Sequence, residues 1–278
     1  MAFETSHYHI MQKIVPQKAF TQPLLLHGIL AFSALHQAFQ RSDNAALLSL
    51  AFQHHRHSIV SHRNALENLR KETWEMLFVS ASFIAVYIAA MGRFPRLHGI
   101  ETWTSTPLDT VVDFSKFLQG VLAVVMNSIP WLNDSELEPL LCRNVLHMPL
   151  PQNNNPVQSL IQLQTRIEAS GASSDMVETY VRSIDKLQST FHQAKHTNYN
   201  SAVVLNWLVL SSDAFLAAVR SQNPMALTIL AHHCVLLHML HGAWWSKGWG
   251  KQLVLHIHAI LDKDWQPSIQ WAMQEIGV

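Results

Sequence analysis

Histidine is the chemically conspicuous residue of this chain, with eighteen among 278 residues. Metal binding is the first chemistry such an excess suggests, and zinc needs three or four His, Cys, Asp or Glu side chains converging on one point. His54 and His57 stand at i, i+3, and His62 lies further along the same segment. Carboxylates near them are sparse, and neither HExxH nor its inverse occurs. Most of the stretch HHRH at 54–57, with His62, Arg63 and Glu67, reads instead as the solvated side of a helix, and no metal or other cofactor is assigned. The segment after Pro224 is more informative, because its apolar residues point in all directions and so predict a helix buried all round. Thr228 and His232 share a face of it, His233 lies about 100° further round, and His238 lies elsewhere. These histidines cannot form one site by themselves, and each needs a hydrogen-bond partner in the interior. One placed at an apolar cavity would bind a ligand oxygen or move a proton. His232 is the candidate donor or proton shuttle and His36 a second polar group. Tyr87, Trp207, His238, Trp245 and Trp249 are the candidates for shaping a substrate.

Other chemistries are not encoded in a recognisable form. The chain has no GxSxG, GxxxxGK, GxGxxG or CxxC. Cys234 sits among apolar residues that would raise its pKa and make it inert. With Cys142 it is one of two cysteines, too few for a disulfide framework and suited to a reducing, intracellular setting. Nineteen basic residues balance nineteen acidic ones, so no cationic excess is available for direct nucleic-acid binding. Hydrophobic residues make up 49% and charged ones 14%, which excludes intrinsic disorder. The first seventeen residues mix Glu, Lys, His and Pro where an export signal needs a continuous apolar stretch. Segment 76–92 carries no charge over 17 residues, and 221–246 carries four histidines. Both read as core helices rather than membrane spans.

The elements that must position these residues are helical. Nine glycines and no Asn-Gly or Asp-Gly hairpin turn argue against sheets. Helices are predicted over 23–39, then 45–70 behind a Ser42-Asp43 cap, 72–92, and 107–126 behind Thr106-Pro107. A loop-rich connection near 128–156 holds one short helix at 134–142. Helices then resume over 157–169, 174–195, 202–210, 213–220 and 224–241. Glycines interrupt at GAWWSKGWG before helices over 252–261 and after Pro267. The expectation is an all-α fold of about eleven helices, with 1–278 forming a single domain.

Three segments together, PLLLHGILAFSALH (23–36), HRNALENLR (62–70) and NPMALTILAHHCVLLHMLHGAWWSKGWG (223–250), resemble the C-terminal regulatory domain of fungal zinc-cluster transcription factors of the sterol-uptake type. FLQGVLAVV (117–125) and LDKDWQPSIQW (261–271) fit the same pattern. The resemblance implies a helical bundle with an internal hydrophobic cavity for a lipophilic ligand. It also implies a six-cysteine DNA-binding cluster, which two cysteines cannot build. If Met1 is the natural start, that module is missing. The expected function is therefore binding of a terpenoid, polyketide or sterol-like molecule, with cofactor-independent cyclisation, cycloaddition or isomerisation of it. The alternative is a ligand-sensing regulator acting through partners. The expected location is cytoplasmic, or nuclear for a regulator, and a homodimer is compatible with an exposed helix face. On this reading, replacing His232 with Ala should cut turnover and leave the fold intact, which a turnover assay and a thermal melt would check together.

Overall fold

A computed structural model describes residues 9–41, 44–91, 106–137, 140, 157–168, 171–240 and 244–278. Among them every regular element is helical, so the fold is all-α. A π-helical turn, Ile10–Ile14, leads into α1 (Val15–Ala19), which sequence periodicity did not suggest. It is followed by α2 (Pro23–Gln40), α3 (Ala45–Leu66), α4 (Trp74–Met91), α5 (Pro107–Asn127), α6 (Gln158–Glu168) and α7 (Ser174–His196). Then come α8 (Ser201–Val209), α9 (Asp213–Arg220), α10 (Pro224–His238), α11 (Trp249–Ile260) and α12 (Gln270–Ile276). The chain divides into two compact units: 1–104 with 116–143, and 105–115 with 144–278. Most of the connection expected near 128–156 lies outside the described residues, as do Cys142 and part of the short helix expected at 134–142. Its described beginning is a 3-10 turn, Ile129–Asp134.

Local chemistry sets the helix starts. The cap of α3 is Asn44, whose side chain accepts from the backbone N–H of Ala46 and Leu47. The expected cap residues, Ser42 and Asp43, lie outside the described residues. Thr106 and Asp109 form a reciprocal box at the start of α5: Thr106 Oγ1 accepts from Asp109 N–H, and Asp109 accepts from Thr106 N–H. Asn223 caps α10 by accepting from the N–H groups of Met225 and Ala226, ahead of Pro224 at the first helical position. The helix expected to reach residue 70 ends at Leu66. Thr73 ties the following turn, its hydroxyl donating to the Asn68 carbonyl and accepting from Arg70 N–H.

In the first unit, α4 is buried on most of its circumference and carries a stretch with the length and apolarity of a membrane span. Two thirds of that stretch is covered by protein, as expected of a core helix. It packs on α2 and α3. Ile10, Val15, Ala19, Leu25, Val79, Phe83 and Leu137 form one cluster, while Trp74 and Val125 join Leu69, Phe78 and Trp131 in another. At the edge, Glu75 receives Lys18 Nζ at 3.1 Å and the Ser135 hydroxyl at 2.6 Å.

In the second unit α10 is the central helix, buried continuously from Met225 to Leu237 and packed by α6, α7, α8, α9, α11 and α12. The glycine-rich segment after it was expected to interrupt the helices. Instead Trp249 and Gly250 open α11 three residues earlier than predicted, and Gly248 before them takes the left-handed conformation at φ +85°. Gly250 lets α11 lie directly against α10, because a Cβ there would stand 2.3 Å from the Cys234 carbonyl oxygen and 2.8 Å from His238 N. Both neighbours are backbone atoms that cannot step aside. Gly250→Ala should therefore cost about 3 kcal/mol or more. A melt should show the midpoint falling by roughly 6–12 °C, and an unchanged midpoint would mean that the two helices separate freely.

Candidate functional site

The buried face of α3 is the starting point. Leu48, Ala51, His55, Ser58 and His62 are its buried residues, at successive steps of three and four, so they form one stripe along the helix. The stripe begins apolar and turns polar halfway. His62 and most of HHRH were expected on the solvated side, but the structure places His55 and His62 inside, at 3% and 7% exposure. The signal was present in the sequence: continuing the stripe from Leu48 and Ala51 by heptad steps reaches His55, Ser58 and His62.

Opposite the stripe runs α4. The His55 and Tyr87 rings stack with centroids 3.7 Å apart and planes 11° from parallel. Seven residues on, His62 Nδ1 shares a 3.3 Å hydrogen bond with Ser80 Oγ. A step of seven forward on α3 is matched by seven backward on α4, so the helices run antiparallel, with polar pairs about 10 Å apart along the seam. The third wall is α2, which Gly28 lets lie close against the seam. A Cβ there would sit 3.3 Å from the Phe83 ring and 3.5 Å from Ser58 Oγ. Three buried polar atoms in this one region have no hydrogen-bond partner among the described residues: His55 Nε2, Ser58 Oγ and the Tyr87 hydroxyl. An unpartnered buried polar group costs about 1–3 kcal/mol, so three at one seam call for an explanation.

Burial sets their electrostatics. It pushes the pKa of His55 down to about 4, and that of His62 likewise. The Tyr87 phenol is pushed up, again by burial. Near neutral pH the seam therefore holds uncharged donors and acceptors.

The residues proposed from the sequence fall into both units. Tyr87 lies in the first, at the seam just described. His36 lies in the same unit but near the end of α2, half-buried, with its Nε2 3.4 Å from Gln40 Nε2 and its ring 6.4 Å from Phe32. The remaining five belong to the second unit. His232 is fully buried, donates from Nδ1 to the Thr228 carbonyl at 2.8 Å and stacks on Trp271. Its neighbour His233 donates from Nε2 to the Val204 carbonyl at 3.0 Å and stacks on Trp207, which itself donates to the Ser183 carbonyl. Trp249 meets Phe114 edge-on, Trp245 is buried, and His238 faces Gly250 at the end of α10. These contacts hold Trp207, Trp249 and His232 as packed core groups with separate neighbours. His232→Ala would then open a hole beneath Trp271, against the expectation that the fold stays intact. His232 Nε2 and His233 Nδ1 keep an unpartnered lone pair among the described residues, and burial pushes both imidazoles down to about 4, the backbone bonds acting weakly the other way. The Cys234 thiol is pushed up by the same burial.

Two clefts are recorded in the second unit, of about 410 Å³ and 270 Å³. The larger is lined by Lys263, Gln270 and Met273 among others, the smaller by Glu178, Arg182 and Lys186, and none of the seven proposed residues lines either. Among the described residues no three His, Cys, Asp or Glu side chains converge as a metal site would require. Comparison with protein-family models, curated proteins and solved structures finds no match, so the chemistry rests on this chain's own geometry.

The four buried imidazoles give a signed pH dependence. Their folded pKa values near 4 lie below the ordinary value of 6.5, so between these limits the unfolded chain binds more protons. Stability is complete above about pH 6.5 and falls towards pH 4, by about 1.4 kcal/mol per pH unit per site. A total stability of about 5–15 kcal/mol would be exhausted near pH 5. Helical circular dichroism followed from pH 8 to 4 should lose its signal in that window, and a chain still folded at pH 4 would show that these imidazoles charge without penalty.

Proposed function

We propose that the α2–α3–α4 seam binds a lipophilic small molecule bearing a carbonyl or hydroxyl oxygen, and that the protein acts on it as a cofactor-independent cyclase or isomerase. The observation that carries this reading is the set of three polar atoms unpartnered among the described residues, His55 Nε2, Ser58 Oγ and Tyr87 OH, one helical step from the satisfied His62–Ser80 pair. Tyr87 is the donor to the ligand oxygen, and its raised pKa keeps the proton available. His55, stacked on the phenol, holds that ring in place and offers a neutral nitrogen. Of the residues proposed from the sequence, Tyr87 stays in the site but as a donor instead of a ring that shapes the substrate, while the polar part assigned to His232 passes to His55. The resemblance of 23–36 and 223–250 to sterol-type regulatory domains supports the same class of ligand.

The chemistry available to such a site is limited, which narrows the reaction. An imidazole with a pKa near 4 is a weak base, and a phenol held above its ordinary value is a weak acid. Ionic proton transfer is therefore poorly served. Holding a flexible chain in a reactive shape is worth up to roughly 7–11 kcal/mol, and a hydrogen bond to a conjugated carbonyl adds polarisation of the reacting bonds. Both favour an intramolecular cyclisation, cycloaddition or isomerisation, in which substrate and product have the same atoms and the same oxidation level.

The test combines native mass spectrometry and solvent extraction of protein made in a fungal host with the variant Tyr87→Phe. Removing an unpartnered buried hydroxyl should leave the ligand-free melting temperature unchanged or higher, while affinity for the co-purified lipophile falls about three- to tenfold. Incubation with its less-cyclised precursor should give conversion above the buffer background. Binding without conversion would replace the catalyst by a carrier or sensor. If nothing lipophilic binds, or if Tyr87→Phe binds as wild type does, the seam is not the site.

A further inference from the structure

The first unit has an outer surface whose composition departs from the rest of the chain, independently of the seam. From residue 9 to 66 the only carboxylate in the sequence is Asp43. The same stretch holds Lys13, Lys18, Arg41, Arg56 and Arg63, with seven of the eighteen histidines. The net charge of zero therefore conceals an N-terminal region with an excess of four positive charges before any histidine is counted. Within the described residues, α2 and α3 contain no acidic side chain at all.

The same stretch exposes apolar side chains. Six of the eleven large apolar residues exposed among the described ones lie here: Phe20, Leu26, Leu30, Leu50, Val60 and Leu66. Phe20, at the turn between α1 and α2, is 83% exposed. These residues are interleaved with the basic ones at helical spacing. On α3, Arg56, Val60 and Arg63 follow at i, i+4 and i+7, all exposed, beside Leu50, His54 and His57 at the same intervals. On α2, Leu26 and Leu30 flank His27. His27 joins the two helices: its Nδ1 stands 2.9 Å from His54 Nδ1, and its ring stacks on His57 at 4.9 Å. Burial, His54 and then His57 lower the pKa of His27, so acid or an anionic partner is needed to favour its charged form.

From the interleaved basic and apolar side chains on the exposed sides of α2 and α3, we infer that this face docks on an anionic lipid surface. A helical face of this kind lies in the headgroup plane, its aliphatic side chains entering the acyl boundary and its cations meeting lipid phosphates and carboxylates. The alternation runs along α2 and α3 instead of concentrating in one central anchor, as a protein partner would require. The elements packed on α2 and α3 are α1 and α4. Their titratable side chains are Lys18 on α1 and Glu75 and Tyr87 on α4, and Glu75 is engaged by Lys18 and Ser135. Acidification therefore adds charge with no local carboxylate to absorb it, and docking strengthens as the pH falls.

The experiment is co-sedimentation of the full chain with phosphatidylcholine vesicles, with and without about 30 mol% phosphatidylserine, at about pH 7.5 and 6, where the fold is retained. Binding should require phosphatidylserine, increase several-fold at the lower pH and weaken at high salt. The double variant Arg56→Gln with Arg63→Gln changes only exposed side chains and should melt as wild type does. At about a factor of five per basic residue near the surface, it should lose about 25-fold in affinity. Equal binding to neutral vesicles, or wild-type affinity in the double variant, overturns the inference. So does capture by soluble polyglutamate with no vesicle binding, which would make the partner an acidic protein. None of these outcomes depends on whether the seam holds a ligand.

Discussion

Helices buried on nearly every side, α4 in the first unit and α10 in the second, can exist in water only if the polar side chains they bury or meet stay uncharged. That constraint governs the structure. Each of the four buried imidazoles is held neutral by the same desolvation that raises the Tyr87 phenol and the Cys234 thiol. Charged residues keep to the surface, where Arg220 reaches Asp109 and Asp113, and Arg166 lies over Trp265 while donating to Ser268 and the Asp264 carbonyl. Neutral interiors of this kind are stabilised by packing and by hydrogen bonds to neighbouring backbone carbonyls, and they lose that stability when a proton must be taken in.

The two units satisfy the constraint differently. In the second, His232 and His233 each donate one N–H to a backbone carbonyl, stack on a tryptophan and leave a single lone pair without a partner. In the first, the stacked pair His55–Tyr87 and the neighbouring Ser58 leave three unpartnered atoms at one level. One bare acceptor per side chain is a small loss within a tightly packed core. Two hydroxyls and an imidazole nitrogen left without partners among the described residues, where Gly28 brings α2 close to Phe83 and Ser58, are a larger loss, and the proposed ligand oxygen would offset it. This contrast, more than the conspicuous histidines of α10, directs the functional proposal to α3 and α4.

Much of the architecture was legible from local patterns. The proline-led starts of α2, α5 and α10, the Asn223 cap and the all-round apolarity of α4 and α10 each depend on neighbours within a turn or two, and all stand where the periodicity put them. The misplacements have physical reasons. GAWWSKGWG looked like an interruption because glycine weakens helices; at Gly250 the residue instead permits contact between two of them, a requirement visible only once α10 and α11 are packed. HHRH looked like a polar face because four polar residues in a row span a full helical turn, so the segment alone cannot say which of them points inward.

By itself the sequence determined that this is an all-α protein, where most of its helices begin, and that histidine, not cysteine or a nucleotide-binding loop, is its distinctive chemical resource. Those properties follow from composition and from spacing along one chain. Only the tertiary structure decided that His55 meets Tyr87, that His62 meets Ser80, that Gly28 faces Ser58, and that His232 and Trp207 are packed as core groups with different neighbours. The reason is geometric: a helix presents its side chains all round, and which of them become a site depends on the antiparallel register of a second helix and the close approach of a third.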